Sequence, residues 1–144
     1  MIIRKMTAAD IAAGLRLCRL SGWNQVEEDW RCFLEPAEGG GWLAEKDGEI
    51  VGSVFLITHS KAVAQLRLML VEPKARGLGI GARLVDECIL FAREKGYRKI
   101  TLWTNSILLA ARHIYKKAGF RLVHKERHTS FGHALVGETW DLTL

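Results

Sequence analysis

The chain has 144 residues, 49% hydrophobic and 26% charged, with 21 Lys and Arg against 16 Asp and Glu for a net charge of +5. That length suits a single domain, read here as residues 1–144, burying roughly two-thirds of the surface its unfolded chain exposes. No apolar run approaches the roughly 20 residues that cross a bilayer, and Met1-Ile2-Ile3-Arg4-Lys5 lacks a secretory apolar stretch, so no membrane association and a cytoplasmic location are expected.

Ile2 to Met6 reads as a short strand. Thr7 and Asp10 then offer an N-cap and an acidic first turn for a helix with Ile11, Leu15 and Cys18 inward, ended by Ser21-Gly22. A second helical patch, Val26 to Leu34, is acidic at Glu27, Glu28 and Asp29 and apolar at Trp30, Phe33 and Leu34, and Pro36 and Gly39 to Gly41 make a loop. Trp42 to Lys46, the turn Asp47-Gly48 and Glu49 to Thr58 form a hairpin, because Asp-Gly supplies the positive φ angles of a tight reverse turn. Val63 to Val71 is the next strand. Gly79 to Lys95 is the longest helix, with Ile80, Leu84, Val85, Cys88 and Phe91 or Ala92 on one stripe and Gly96 closing it. A strand over Ile100 to Thr104, a helix over about Ile107 to Ala118 and a strand over Arg121 to His128 follow. His128 to Gly137 reads as a loop, and Thr139 to Leu142 as a last short strand. These elements imply an α/β, mixed sheet covered on both faces by helices. Cys18, Cys32 and Cys88 are odd in number and lack metal-ligand spacing, so reduced structural thiols and no metal site are expected.

The charge is uneven. Residues 1–73 carry 8 basic and 10 acidic side chains, net −2, and residues 74–144 carry 13 and 6, net +7. A basic face alone supports non-specific nucleic-acid binding. Here, however, the basic residues are interspersed with Glu87, Glu94 and Glu126, without an aromatic-basic stripe or a helix-turn-helix pattern, so no nucleic acid is expected and a small polyanion explains the bias better.

The informative stretch is Val71-Glu72-Pro73-Lys74-Ala75-Arg76-Gly77-Leu78-Gly79-Ile80-Gly81-Ala82, a glycine-punctuated basic turn between a strand and a helix. Glycines let successive main-chain N–H groups approach one anion, and the helix start adds its free N–H groups and partial positive charge. A Walker loop is excluded because Ala82-Arg83 stands where Lys-Ser or Lys-Thr is needed. Gly77, Gly79 and Ala82 fit the dinucleotide pattern G-x-G-x-x-A. Yet five residues separate them from the strand, and the basic pair Arg98-Lys99 replaces the acidic ribose ligand expected about 20 residues on. The remaining pattern, Arg76-x-x-Gly79-x-Gly81, resembles the acetyl-coenzyme A loop of the GCN5-related N-acetyltransferases. Leu108 to Phe120 is similar to the later motif of that family, where a short helix carries a Tyr shortly before a Gly-Phe pair, here Tyr115 and Gly119-Phe120. Residues 102–142 also resemble acetyltransferase domains fused to MarR-type regulators.

The resemblance implies acetyl-coenzyme A (CoA) as donor, and direct attack by an amine of a small molecule, a protein amino terminus or a lysine. It implies an acyl-CoA N-acyltransferase fold whose central parallel strands splay, and a homodimer as one assembly. It implies a cofactor site at Met69, Leu70, Val71, Arg76, Gly77, Leu78, Gly79, Ile80, Gly81, Ala82 and Tyr115. A main-chain N–H at Leu70 or Val71 would meet the developing oxyanion. Tyr115 is the candidate proton donor to the departing thiolate; a phenol near pKa 10 and a thiol near 8.5 differ by about 1.5 units, or about 2 kcal/mol. Packing beneath the loop is its alternative role.

The general base departs from the family pattern. Gln65 and Trp103 stand where relatives carry a Glu, and Leu108 stands where an Asn is frequent, with Asn105 three positions early. Glu27 and Glu28 could attract an ammonium group or relay its proton, or form a solvated helix face. His133 has the right intrinsic pKa for a base and is otherwise an idle surface histidine. Trp23 and Trp30 could wall the acceptor site or pack in the core. With both base positions vacated, an acyl-CoA sensor with little turnover is the alternative to an enzyme.

Overall fold

The computed structural model describes residues 1–20, 40–130 and 132–144, apart from the side chains at 130 and 133. Among these residues seven strands form one sheet: β1 Ile2–Lys5, β2 Gly40–Lys46, β3 Glu49–Ser60, β4 Val63–Val71, β5 Lys99–Asn105, β6 Arg121–Ser130 and β7 His133–Thr143. The helices are α1 Ile11–Leu20, α2 Ile80–Glu94 and α3 Leu109–Ala118. The strand order is β1-β2-β3-β4-β5-β7-β6, antiparallel at every neighbour except the parallel pair β4 and β5. A parallel pair needs a crossover, and α2 supplies it.

The β2–β3 hairpin forms as expected, with Asp47 at φ 53 and Gly48 at φ 80. The longest helix buries the stripe read from its spacing, Ile80, Leu84, Val85, Cys88, Phe91 and Ala92. Leu84, Val85 and Cys88 are fully buried, and each large apolar side chain removed from water contributes roughly 1.5–3 kcal/mol. α2 lies over β2, β3 and β4 and beside α3, whereas α1 packs on β3 and β4. The core therefore splits in two across the sheet. Leu17 and Cys18 of α1 share one cluster with Leu43, Phe55, Leu68 and Leu70; α2, α3, Leu66, Ile100 and Leu102 share the other.

One expectation fails in the C-terminal half. Within residues 128–137, read as a loop, 128–130 and 133–137 belong to a long hairpin in which β6 pairs with β7 from Arg121↔Asp141 to Ser130↔His133. The last strand is therefore eleven residues long. Residues 133–137 show no alternation; pairing with β6, from Ser130↔His133 to Glu126↔Gly137, holds them extended, and β5 pairs with the rest of the strand. The patch at residues 26–34, with Trp23, Glu27, Glu28, Trp30 and Cys32, lies outside the described residues.

Thr7 and Asp10 mark the turn into α1 by a variant of the expected cap. The Thr7 N–H donates to Asp10 Oδ2 at 2.8 Å, and the Thr7 hydroxyl lies against the same oxygen at 3.2 Å. Arg4 on β1 reaches both Asp10 oxygens at 2.9 and 3.0 Å. These bonds, led by those from Arg4, hold the Asp10 carboxyl at about 2 against its ordinary 3.8. Asp10→Asn should therefore lower stability by about 1 kcal/mol at neutral pH. A carboxyl depressed in the folded state stabilises above its unfolded pKa and loses that contribution as pH falls through the folded value. The gap between wild type and Asp10→Asn in urea unfolding should close between about pH 4 and pH 2.

Candidate active site

β4 and β5 run side by side only from Val63↔Lys99 to Gln65↔Thr101. Beyond that they part, leaving the β5-facing edge of residues 66–71 without a strand neighbour. On its other side β4 carries a bulge: Ser53 pairs with Leu70 and Phe55 with Arg67, so three β4 steps face two on β3. Leu68, inside the bulge, has φ 49, a left-handed conformation costing a side-chain-bearing residue roughly 1–3 kcal/mol. The extra residue swaps the faces of the strand. Leu66 belongs to the α2/α3 core, Leu68 and Leu70 belong to the α1 core, and Met69 and Val71 turn back toward α2 and α3.

Two clefts meet at Met69. The first, about 370 Å³, fills the gap between the parted strands and is lined by Gln65, Arg67, Met69, Trp103, Asn105 and Tyr115, among others. The second, about 640 Å³, lies over the glycine turn between α2 and α3, with Val71, Arg76, Gly77, Gly79 and the start of α2 on one wall and His113, Ile114 and Lys117 on the other. Asp86 also lines it.

The glycine turn is open, and its main-chain donors have no internal partner among the described residues. Gly79 is the N-cap of α2 at φ 77, with no side-chain cap, and Gly77 has φ 84. A Cβ built at either would meet nothing within 4 Å, so the space above the turn is open. Among the described residues no hydrogen bond takes the N–H groups of residues 77–82: the Arg76 N–H returns to the Pro73 carbonyl and the Arg83 N–H to the Gly79 carbonyl. Six main-chain donors at a helix start are thus uncommitted, five of them on residues that line the second cleft. Gly81 has a different task. Its absent side chain leaves room for Ile114, whose Cδ1 would stand 2.7 Å from a Cβ there. Arg76 folds back so that its Nε donates to the Val71 carbonyl at 3.2 Å. Leu78 is exposed and does not line the cleft, and the Leu70 side chain is buried in the α1 core, leaving only its main chain to act.

Tyr115 on α3 lines the first cleft with only 5% of its surface exposed, its ring 5.9 Å from that of Phe120. Burial, with a smaller effect of the buried Cys88 thiol, pushes the phenol well above its usual range, so it stays protonated. What fixes α3 was not read from the sequence. Glu138 on β7, 1% exposed, accepts Arg112 Nε at 2.7 Å, Arg112 Nη2 at 3.2 Å and Trp140 Nε1 at 3.2 Å. Arg112 stands one turn before Tyr115, so this ion pair pins to the sheet the helix face that carries the phenol.

His133 opens β7 opposite Ser130. It lies four residues beyond Gly137, which faces the last residue of β5, and so roughly 13 Å further along the strand. The histidine that the fold brings to β5 is His128, its Nε2 3.0 Å from Asn105 Oδ1 and its ring 5.5 Å from that of Trp103. Its register with β5 depends on the hairpin, which no local pattern announced. Arg67 was also passed over, although its place in the alternation Gln65-Leu66-Arg67-Leu68 marks it as polar within an apolar strand.

Comparison with known proteins adds three findings. The acetyltransferase (GNAT) family model matches residues 10–120. A mycothiol acetyltransferase of Cellulomonas flavigena is 31% identical over 126 residues, covering 81% of this chain and 32% of that protein, so the chain spans about a third of that relative's length. Among solved structures, a ribosomal-protein-alanine N-acetyltransferase from Brucella melitensis superposes with a TM-score of 0.87 at 22% identity, covering 100% of both chains. A putative acetyltransferase from Salmonella typhimurium, solved with acetyl-CoA, superposes with a TM-score of 0.86 at 17% identity over 99% of this chain and 92% of that one. The two structures share the fold.

Removing one partner of a buried pair strands the other, whereas replacing both with apolar residues often costs little. Arg112→Leu should therefore destabilise the protein by about 3 kcal/mol or more in denaturant unfolding, and the double variant Arg112→Leu/Glu138→Leu should recover most of that loss.

Proposed function

The chain belongs to the acetyltransferase (GNAT) family, and from that premise we propose that it transfers an acetyl group from acetyl-CoA to an amine. The observation that carries the reading is the open turn at residues 77–82, whose N–H groups no hydrogen bond takes among the described residues. A diphosphate fits it in charge and in the room left by the missing Cβ atoms. Acetyl-CoA supplies an activated acyl thioester when bound.

The protein's own part is binding, orientation and a proton. Gly77 to Ala82 hold the diphosphate, with Arg76 and Lys117 as flanking cations. The unpaired edge of β4 offers the main chain of Met69, Leu70 and Val71 to an extended amide-bearing arm, and a main-chain N–H at Leu70 or Val71 faces the charge that develops on the acyl oxygen. Tyr115 keeps its proton across the neutral range and delivers it to the thiolate. Burial raises the phenol, so it carries its proton until a stronger base such as a desolvated thiolate is placed beside it. The acceptor is a small-molecule or peptide amine, the setting cytoplasmic, and residues 1–144 act as one domain.

A second reading, an acyl-CoA sensor with little turnover, draws on one observation: no carboxylate lines the first cleft among the described residues, and Gln65 and Trp103 hold the positions where relatives carry a Glu. Titration with CoA and assay of thiol release with a panel of amines separate the two; tight binding without release across the panel favours the sensor.

Gly79→Leu forces a side chain into both a left-handed conformation and the diphosphate space. It should abolish CoA binding in calorimetry while cooperative unfolding persists, and an unchanged affinity would contradict the cradle. Tyr115→Phe should reduce kcat by roughly 10- to 100-fold with CoA affinity within about threefold of wild type; equal rates would remove its role as acid.

A further inference from the structure

Arg67 on β4 and Trp103 on β5 line the first cleft from its two strands, and neither has a part in holding CoA in the reading above. Both stand two residues beyond the last paired residues of β4 and β5, Gln65 and Thr101. Arg67 carries the one formal charge among the described lining residues of that cleft. A guanidinium has five donors in a planar fork, so it can accept a carboxylate in two parallel hydrogen bonds while keeping other contacts.

Trp103 is 48% exposed, although it is a large apolar side chain in the middle of a sheet. Its position is fixed. The indole lies where a side chain on Gly137 would be, with its Cζ2 2.6 Å and its Nε1 2.8 Å from a Cβ built there. The His128 ring, held by Asn105, flanks it at 5.5 Å. A half-exposed aromatic surface seated this firmly in a cleft that a guanidinium also lines suits a ligand with an anionic group and a planar apolar one.

We propose that the acceptor is an aromatic α-amino acid, its carboxylate on Arg67 and its ring on Trp103. The proposal rests on the acyl-transfer reading and adds the class of amine. This placement brings the amino group, one carbon from the carboxylate, over the gap between β4 and β5 where Tyr115 and Met69 lie. A polyamine or lysyl ammonium finds no opposite charge among the described lining residues.

The test compares L-phenylalanine, L-phenylalaninamide, L-alanine and spermidine as acceptors, with saturation-transfer NMR of each amine on CoA-saturated protein as a readout independent of turnover. The wild type should prefer phenylalanine over its amide and over alanine by about tenfold or more in kcat/KM. Arg67→Gln should bring the free acid and amide within about twofold, and Trp103→Ala should do the same for phenylalanine and alanine. Each variant should also lose the phenylalanine ring signal. Should Trp103→Ala fail to unfold cooperatively, Trp103→Phe replaces it and should retain an intermediate preference. Thiol release with spermidine preferred, or with acid and amide used equally, overturns the acceptor class and leaves acyl transfer standing. Phenylalanine bound by CoA-saturated protein, with no thiol released when acetyl-CoA is the donor, supports the acceptor site and overturns acyl transfer. Failure to bind CoA overturns both.

Discussion

The separation of β4 from β5 after the pair Gln65↔Thr101 is the constraint on which the site depends. Continuous pairing would occupy the main-chain groups of both strands and close the gap. Parting them leaves one edge of β4 unpaired inside the molecule, and the bulge at Leu68 lets the strand do this without losing its core. By reversing which face each side chain meets, the bulge keeps Leu68 and Leu70 buried under α1 while presenting Met69 and Val71 to the clefts beside α2 and α3. The strained backbone of Leu68 is offset by that burial.

Around this opening, different parts of the fold take different tasks. The turn before α2 contributes direction and charge through its amides. Gly81, one residue into the helix, serves packing, since the room it leaves for Ile114 lets α3 approach α2. On the far side of α3 the buried Glu138 takes hold of Arg112. Tyr115 is thus located by the contacts that Arg112 and Ile114 make from two sides of one short helix.

The sequence made the first six strands and the two later helices legible because their periodicities are clean and their ends are marked by Asp47-Gly48, Gly79, Gly96 and Gly119. The open conformation of the glycine turn was equally legible, since Gly77 and Gly79 take the positive φ angles that glycine favours. The bulge was hidden. Leu66, Leu68 and Leu70 alternate perfectly and read as one face, yet the first lies in a different core from the other two. The β6–β7 hairpin was hidden for a related reason: residues 128–130 and 133–137 have no alternation of their own and are held extended by the pairing of β6 with β7. Gly137 looks like a loop residue until the Trp103 indole is seen resting on it. Trp23, Glu27 and Glu28 stay with the sequence reading, outside the described residues.

An unpaired strand edge usually invites another chain to add itself, the route to swapping and aggregation. The edge within this sheet is shaped against that. An added strand needs about 4.8 Å on each side along its whole length, but at Gln65 and Thr101 the two strands are already bonded to each other. The gap is closed at one end by that pairing, so a strand could not add along its whole length. The sheet can thus hold an unpaired edge in its interior without offering a full-length template for its own polymerisation.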